Sequence, residues 1–164
     1  MGPDKRDLKQ AMFAGFVATA ILAIFMYIAP LAGLPRIDLA AALGRPISGH
    51  PAVPLSGSWW LGMAIFFLFG SVLSPYVFAL SYAGLLGSSW VRGIEWGIVV
   101  WIFGGVAVMT AMGLGFDEAH FAHPFASFFS SLAGHVVYGA ILGGLAGRVL
   151  MHLQQEKQRG PARA

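Results

Sequence analysis

The chain has 164 residues, 57% of them hydrophobic and only 10% charged, with a net charge of +3, 22 glycines and no cysteine. A soluble domain carries about 25% charged residues, so composition argues against one, and the missing cysteines remove disulfides, thiolate metal sites and cysteine nucleophiles. Most basic residues lie at the chain ends beside apolar segments, where they suit lipid headgroups rather than nucleic acid, and no nucleic-acid partner is expected.

Lys5, Arg6 and Lys9 precede an uncharged run, Ala11–Leu34. A signal-peptide core spans only about 7–15 residues, so this longer run predicts a membrane-crossing helix over about 10–33, ended by Pro30 and Pro35. The segment 34–58 is rich in Pro, Gly and Ser. Within it, Asp38–Leu43 is expected to form a short interfacial helix, with Asp38 at its start and Gly44-Arg45-Pro46 after its end. Trp59 and Trp60 then mark a membrane interface, where amphipathic rings are favoured.

No Asp, Glu, Lys or Arg occurs from Pro46 to Val91. A second spanning helix is predicted over about 59–87, with Pro75 kinking it. Gly87-Ser88-Ser89 turns into a third helix over about 92–115, and a fourth is predicted over about 124–150, opened by Pro124. Residues 151–164 form a polar tail. The fold class expected is an all-α integral membrane protein, a four-transmembrane-helix bundle in one domain, residues 1–150, with the lipid bilayer as its first partner.

Phe69-Gly70 with Ser74 echoes Tyr138-Gly139 with Gly143, and Met26–Pro30 loosely echoes Met109–Gly113, which would make the bundle two repeated helical hairpins. Four spans put both termini on one side with the turn at 87–92, and that side carries eight of the ten basic residues. The bias predicts a multi-pass protein with both termini and the tail in the cytoplasm.

Small residues recur at helical spacing. Gly139, Gly143 and Gly147 form one ridge of the fourth helix. Gly93, Gly97, Gly105 and Gly113 follow the same interval on the third, and Gly15, Thr19 and Ala23 on the first. Such ridges allow close helix contact where lipid supplies no hydrophobic drive between helices. They serve either the packing of this chain or the docking of another subunit.

His135 lies deep in a span, with Ser131 and Tyr138 on its helix face. An ionisable group there is a functional candidate, set against a neutral imidazole hydrogen-bonded to a tyrosine or a backbone carbonyl. A bis-histidine haem has no second deep histidine, so no cofactor is expected. Glu95 stands three residues after Arg92 and is expected to pair with it. Asp117, His120 and His123, with His50 in the other loop on the same side, offer a donor set that suits Zn²⁺ or Cu²⁺. A polar loop at the water interface is the plainer account. GxxxxGK, HExxH and GxSxG are all absent from the sequence, which argues against a self-contained enzyme.

Trp60-Leu61-Gly62 before the second helix, Arg92-Gly93 with Glu95-Trp96-Gly97 opening the third, and His135–Gly139 with Gly143 in the fourth resemble small bacterial inner-membrane proteins of the YagU-like and related uncharacterised groups. The resemblance spans roughly 60–147. It implies a four-helix fold in the bacterial inner membrane and no particular activity. The function expected is a non-catalytic accessory or scaffold subunit that packs against another membrane protein or its own copies. The alternative is a small solute or ion transporter or channel with a path near His135 and Tyr138.

The topology is checked with single cysteines at Ser48 and Ser88 in this cysteine-free chain. In intact cells an impermeant maleimide should label the cysteine at 48 and leave that at 88 unlabelled. The reverse pattern sinks the orientation.

Overall fold

A computed structural model describes residues 3–34, 38–108 and 124–159. Helices are the only regular elements among them. Helix α1 is Lys5–Ile28 and starts ahead of the apolar run. Asp4 caps it, accepting from Arg6 N at 2.7 Å and Asp7 N at 2.8 Å, while the Asp7 carboxylate accepts from Asp4 N at 2.9 Å. This reciprocal box satisfies end donors and places negative charge on the helix N-terminus. Charged residues continue a helix readily once it is capped, which the apolar run alone did not reveal. Pro30 lacks an N–H, so the last turn tightens into a 3-10 turn, Ala29–Ala32, and Gly33 ends it at φ 80°.

Helix α2, Leu39–Ser48, fills part of the expected loop. Asp38 Oδ1 accepts from Ala41 N at 3.0 Å and from Trp59 Nε1 at 3.1 Å, so one carboxylate starts α2 and ties it to the next helix. Trp59 is buried, tilted against Tyr27 and edge-on to Trp60. The helix does not stop before Gly44-Arg45-Pro46 but runs through them to Gly49, at φ 69°. Gly44 is used for packing rather than termination. A Cβ there would strike Ser58 O, and one at Gly62 would strike Ala40 O, so the backbones of α2 and α3 touch.

Helix α3, Gly57–Leu68, passes into a π segment, Phe69–Leu73, then α4, Ser74–Ser81, and a 3-10 turn, Tyr82–Gly84. Pro75 near the start of α4 accounts for the break. Helix α5, Ser89–Val100, continues as a second π segment, Trp101–Val108. Helix α6, Pro124–Arg159, carries helical structure into the segment expected as a polar tail. Its end is rich in Gln, Glu, Lys and Arg, which favour helix as well as water. Among the described residues, three helical stretches are long and apolar enough to cross a membrane: Lys5–Ala32, Gly57–Gly84 and Phe128–Met151.

Helix α6 lies between α1 and α5, and α1 lies against the π segment and α4. Two ridges of α6, one residue apart, divide this work. Tyr138, Leu142, Ala146 and Leu150 join Ala11, Ala14, Ala18 and Leu22 of α1 and Phe78, Ala79 and Tyr82 in the core. Gly139, Gly143 and Gly147 face α5. A Cβ at Gly93 would strike Gly139 O, and one at Gly139 would strike Gly93 O. One at Gly97 would strike His135 O, and one at Gly143 would strike Ser89 O. The two backbones are in contact along this length, giving dispersion attraction that larger residues would prevent.

Gly143→Ala places a methyl against Ser89 O and the Gly93 backbone. It should cost about 1–3 kcal/mol, the usual range for overpacking, read as a lower unfolding midpoint in detergent. Gly57→Ala, with nothing within 4 Å of its new methyl, should be neutral or gain up to about 1 kcal/mol. Equal losses at both positions would contradict the contact.

Candidate functional site

A chain of hydrogen-bonded polar groups crosses the bundle. In the first π segment Ser74 N–H bonds to Phe69 O, five residues back. One step further along, the residue in register with Gly70 O is Pro75, which has no N–H to give. Tyr138 of α6 supplies the missing donor, its hydroxyl donating to Gly70 O at 2.7 Å. Ser74 Oγ stands 2.9 Å from Tyr138 Oη. With the single tyrosine proton on Gly70 O, Ser74 donates to the tyrosine oxygen. Trp96 Nε1 of α5 donates to Ser74 Oγ at 3.0 Å. Trp96, Ser74, Tyr138 and Gly70 thus satisfy one another in series.

Helix α1 seats on the same place. A Cβ at Gly15 would strike Pro75 Cγ, and one at Gly70 would strike Thr19 Oγ1. Thr19 turns its own proton inward, donating to Gly15 O at 2.7 Å.

His135 is apart from this chain. Its Nδ1 lies 2.9 Å from Ser131 O, one turn back in the same helix. A carbonyl only accepts, so Nδ1 carries the proton and Nε2 keeps its lone pair. The imidazole lines a partly open cleft between α1, α2 and α6, with Leu22, Phe25, Met26 and Leu39 opposite and Ser130, Ser131 and Gly134 beside it. Ser131 therefore contributes a carbonyl to His135, while Tyr138, three residues on, belongs to the other centre.

Arg92 and Glu95 do not pair as expected. Arg92 is 2% exposed and lies over the Tyr82 ring, 4.7 Å from its centroid. It donates from Nε to Gly87 O at 3.0 Å and from Nη1 to Tyr82 O at 3.2 Å. The guanidinium thereby covers carbonyls left over where the α4 helix ends. Glu95 Oε2 instead accepts from Leu86 N at 3.1 Å. Tyr82 Oη completes the junction, donating to Gly147 O at 3.1 Å, with Ser89 Oγ at 2.9 Å.

Of the other residues singled out in the sequence, Gly93, Gly97, Gly139, Gly143 and Gly147 meet at the contact between α5 and α6, and Gly105 falls in the second π segment. Asp117, His120 and His123 lie outside the described residues, as does Gly113. Among the described residues no three His, Asp or Glu side chains converge. Sequence reasoning missed Gly70, Ser74 and Trp96 as partners of Tyr138. The signal was present in Pro75, which must orphan a carbonyl about one turn earlier.

The pairing of Tyr138 with a proline-orphaned carbonyl makes a double-mutant prediction. Tyr138→Phe should cost about 0.6–1.7 kcal/mol, the span for such bonds in membranes. Pro75→Ala restores an N–H within reach of the freed carbonyl. In that background Tyr138→Phe should cost clearly less, a coupling read by unfolding in detergent with all four variants. Additive losses would show that the two groups act independently.

No curated protein and no solved structure matches the chain. A family model described as "Family of unknown function (DUF6789)" matches residues 5–157, covering both the polar chain and the His135 cleft, and the protein belongs to that family.

Proposed function

We propose that the chain is a four-span protein of the bacterial inner membrane with cytoplasmic termini, allied to the YagU-like groups, and that it works as a non-catalytic accessory or scaffold subunit. In this reading Ser89–Val108, helical through α5 and the second π segment, belongs to the fourth span beside the three apolar helices. The observation that carries this reading is the use made of the deep polar groups. Trp96, Ser74 and Tyr138 hold helices to one another and to Gly70 O, the role of interhelical fasteners. Phe13, Phe16, Ile24, Leu68, Phe69 and Leu80 are left exposed on the outside, where lipid or another membrane protein meets them.

A repeat of two hairpins has less support. One π segment falls in the second long helix of the first pair and the other in the first helix of the second pair. The transporter reading rests on a single observation, that His135 lines a cleft and its ring bonds Ser131 O of its own helix rather than a neighbouring one.

Purification in mild detergent from native membranes separates the two. A scaffold should bring a membrane protein in constant stoichiometry. Recovery of the chain alone, with solute flux in proteoliposomes that His135→Leu abolishes, would replace the scaffold with the transporter.

A further inference from the structure

We infer that the start of α1 holds an anionic phospholipid, its headgroup phosphate on Lys5, Arg6 and Lys9 and its acyl chains over Phe13 and Phe16. The inference rests on α1 lying in a membrane and is independent of the scaffold role. Its basis is where the three cations stand on the helix. Lys5, Arg6 and Lys9 are all exposed. Lys9 lies one turn after Lys5 and Arg6, and Phe13 one turn after Lys9, with Phe16 beyond it. At 3.6 residues per turn these five residues and Ile24 fall within about 100° of one another round the helix. Phe13, Phe16 and Ile24 are exposed, on the face opposite Ala11, Ala14, Ala18 and Leu22 of the core. The cations therefore head the stripe that meets lipid.

The fold itself makes no use of these charges. Asp4 satisfies end N–H groups of α1, and cations in a first turn oppose the helix dipole. Asp7 is 2% exposed and accepts from Asp4 N. Among the described residues Lys5, Arg6 and Lys9 make no ion pair. Basic residues that only orient a span would serve on any face of the helix; these stand on the lipid-facing one. Lysine and arginine stems lie along apolar surface and carry the charge to the interface, so the cations meet phosphate while the rings stay among acyl chains. Phe16 is about 10 Å along the axis from Lys9. Its ring packs on Phe67 of α3, centroids 5.8 Å apart, which widens the wall offered to the chains across two helices. A zwitterionic headgroup would bring its own cation to three others, so an anionic one is preferred.

The full chain is reconstituted in nanodiscs of dioleoyl-phosphatidylcholine with graded fractions of dioleoyl-phosphatidylglycerol. Lipid retained on the released chain is then counted by native mass spectrometry, a readout that does not depend on which way the chain crosses. Phosphatidylglycerol should be retained in preference to phosphatidylcholine. Lys9→Gln should weaken that preference about fivefold, the value of one cation at an anionic surface, and the variant with Lys5→Gln, Arg6→Gln and Lys9→Gln together should lose it. These side chains are exposed, so the variants keep the fold. Arg45→Gln, which removes an exposed cation on α2 at the other end of α1, should change nothing. Excess glycerol 3-phosphate should not displace the lipid; displacement would show that phosphate is held without its chains and would overturn the lipid assignment. Equal retention of the two lipids, a preference that survives the triple variant, or an equal loss in Arg45→Gln would each overturn the inference and leave the membrane reading standing. A chain that fails to enter nanodiscs of phosphatidylcholine alone would overturn both.

Discussion

Among the described residues, α1, the α3–α4 path, α5 and α6 meet around one backbone carbonyl, that of Gly70. Inside a bilayer no water is at hand to satisfy a carbonyl whose partner is lost, and Pro75 removes the partner. The carbonyl must be bonded from elsewhere, and Tyr138 does it from α6. Ser74 and Trp96 extend the bond to α5, and Gly15 and Thr19 of α1 seat against the same turn. The requirement is local, but its solution fixes the relative depth of three other helices. A hydrogen bond can do this more sharply than dispersion, because it is lost over a fraction of an ångström.

Dispersion does the rest. Neighbouring lipid is as apolar as the helices, so contact is favoured only where backbones come closer than lipid chains can. The α5–α6 seam achieves this with glycine on both sides, and the α2–α3 contact does so through Gly44 and Gly62. Helix α6 is the central element because it offers a glycine ridge to α5 and a Tyr-Leu-Ala-Leu ridge to α1 and α4. Shared use of one helix couples the two seams, since a rotation that improved one would open the other.

The two ends of the bundle are closed by different means. At the α4–α5 junction a buried guanidinium, a tyrosine ring and a carboxylate gather up loose backbone groups. At the other end Asp38 and Trp59 hold α2 across α3, and Leu39 of α2 reaches the cleft below. His135 spends Nδ1 on Ser131 O of its own helix, and Nε2 has no hydrogen-bond partner among the described residues. That separates it from Tyr138, which the sequence places on the same helix face but the fold assigns to another task.

By itself the sequence determined the class of the molecule and most of its helices. Uncharged runs of spanning length leave few alternatives, and glycines at intervals of four mark ridges whatever they face. Asp38 was legible as a cap because capping is local. Helix ends were less legible. Asp4 starts α1 ahead of its apolar run, and α6 outlasts its own, because caps and propensity set helix ends while hydropathy sets only what lies in lipid. Which ridge meets which neighbour was decided by tertiary structure alone. In water the contrast between a polar and an apolar face would point each helix inward, but in lipid both faces are apolar and that contrast disappears. The same holds for the polar centre: Tyr138 bonds a carbonyl 68 residues away, and a carbonyl, present at every position, leaves no mark in the sequence to show which one is the partner.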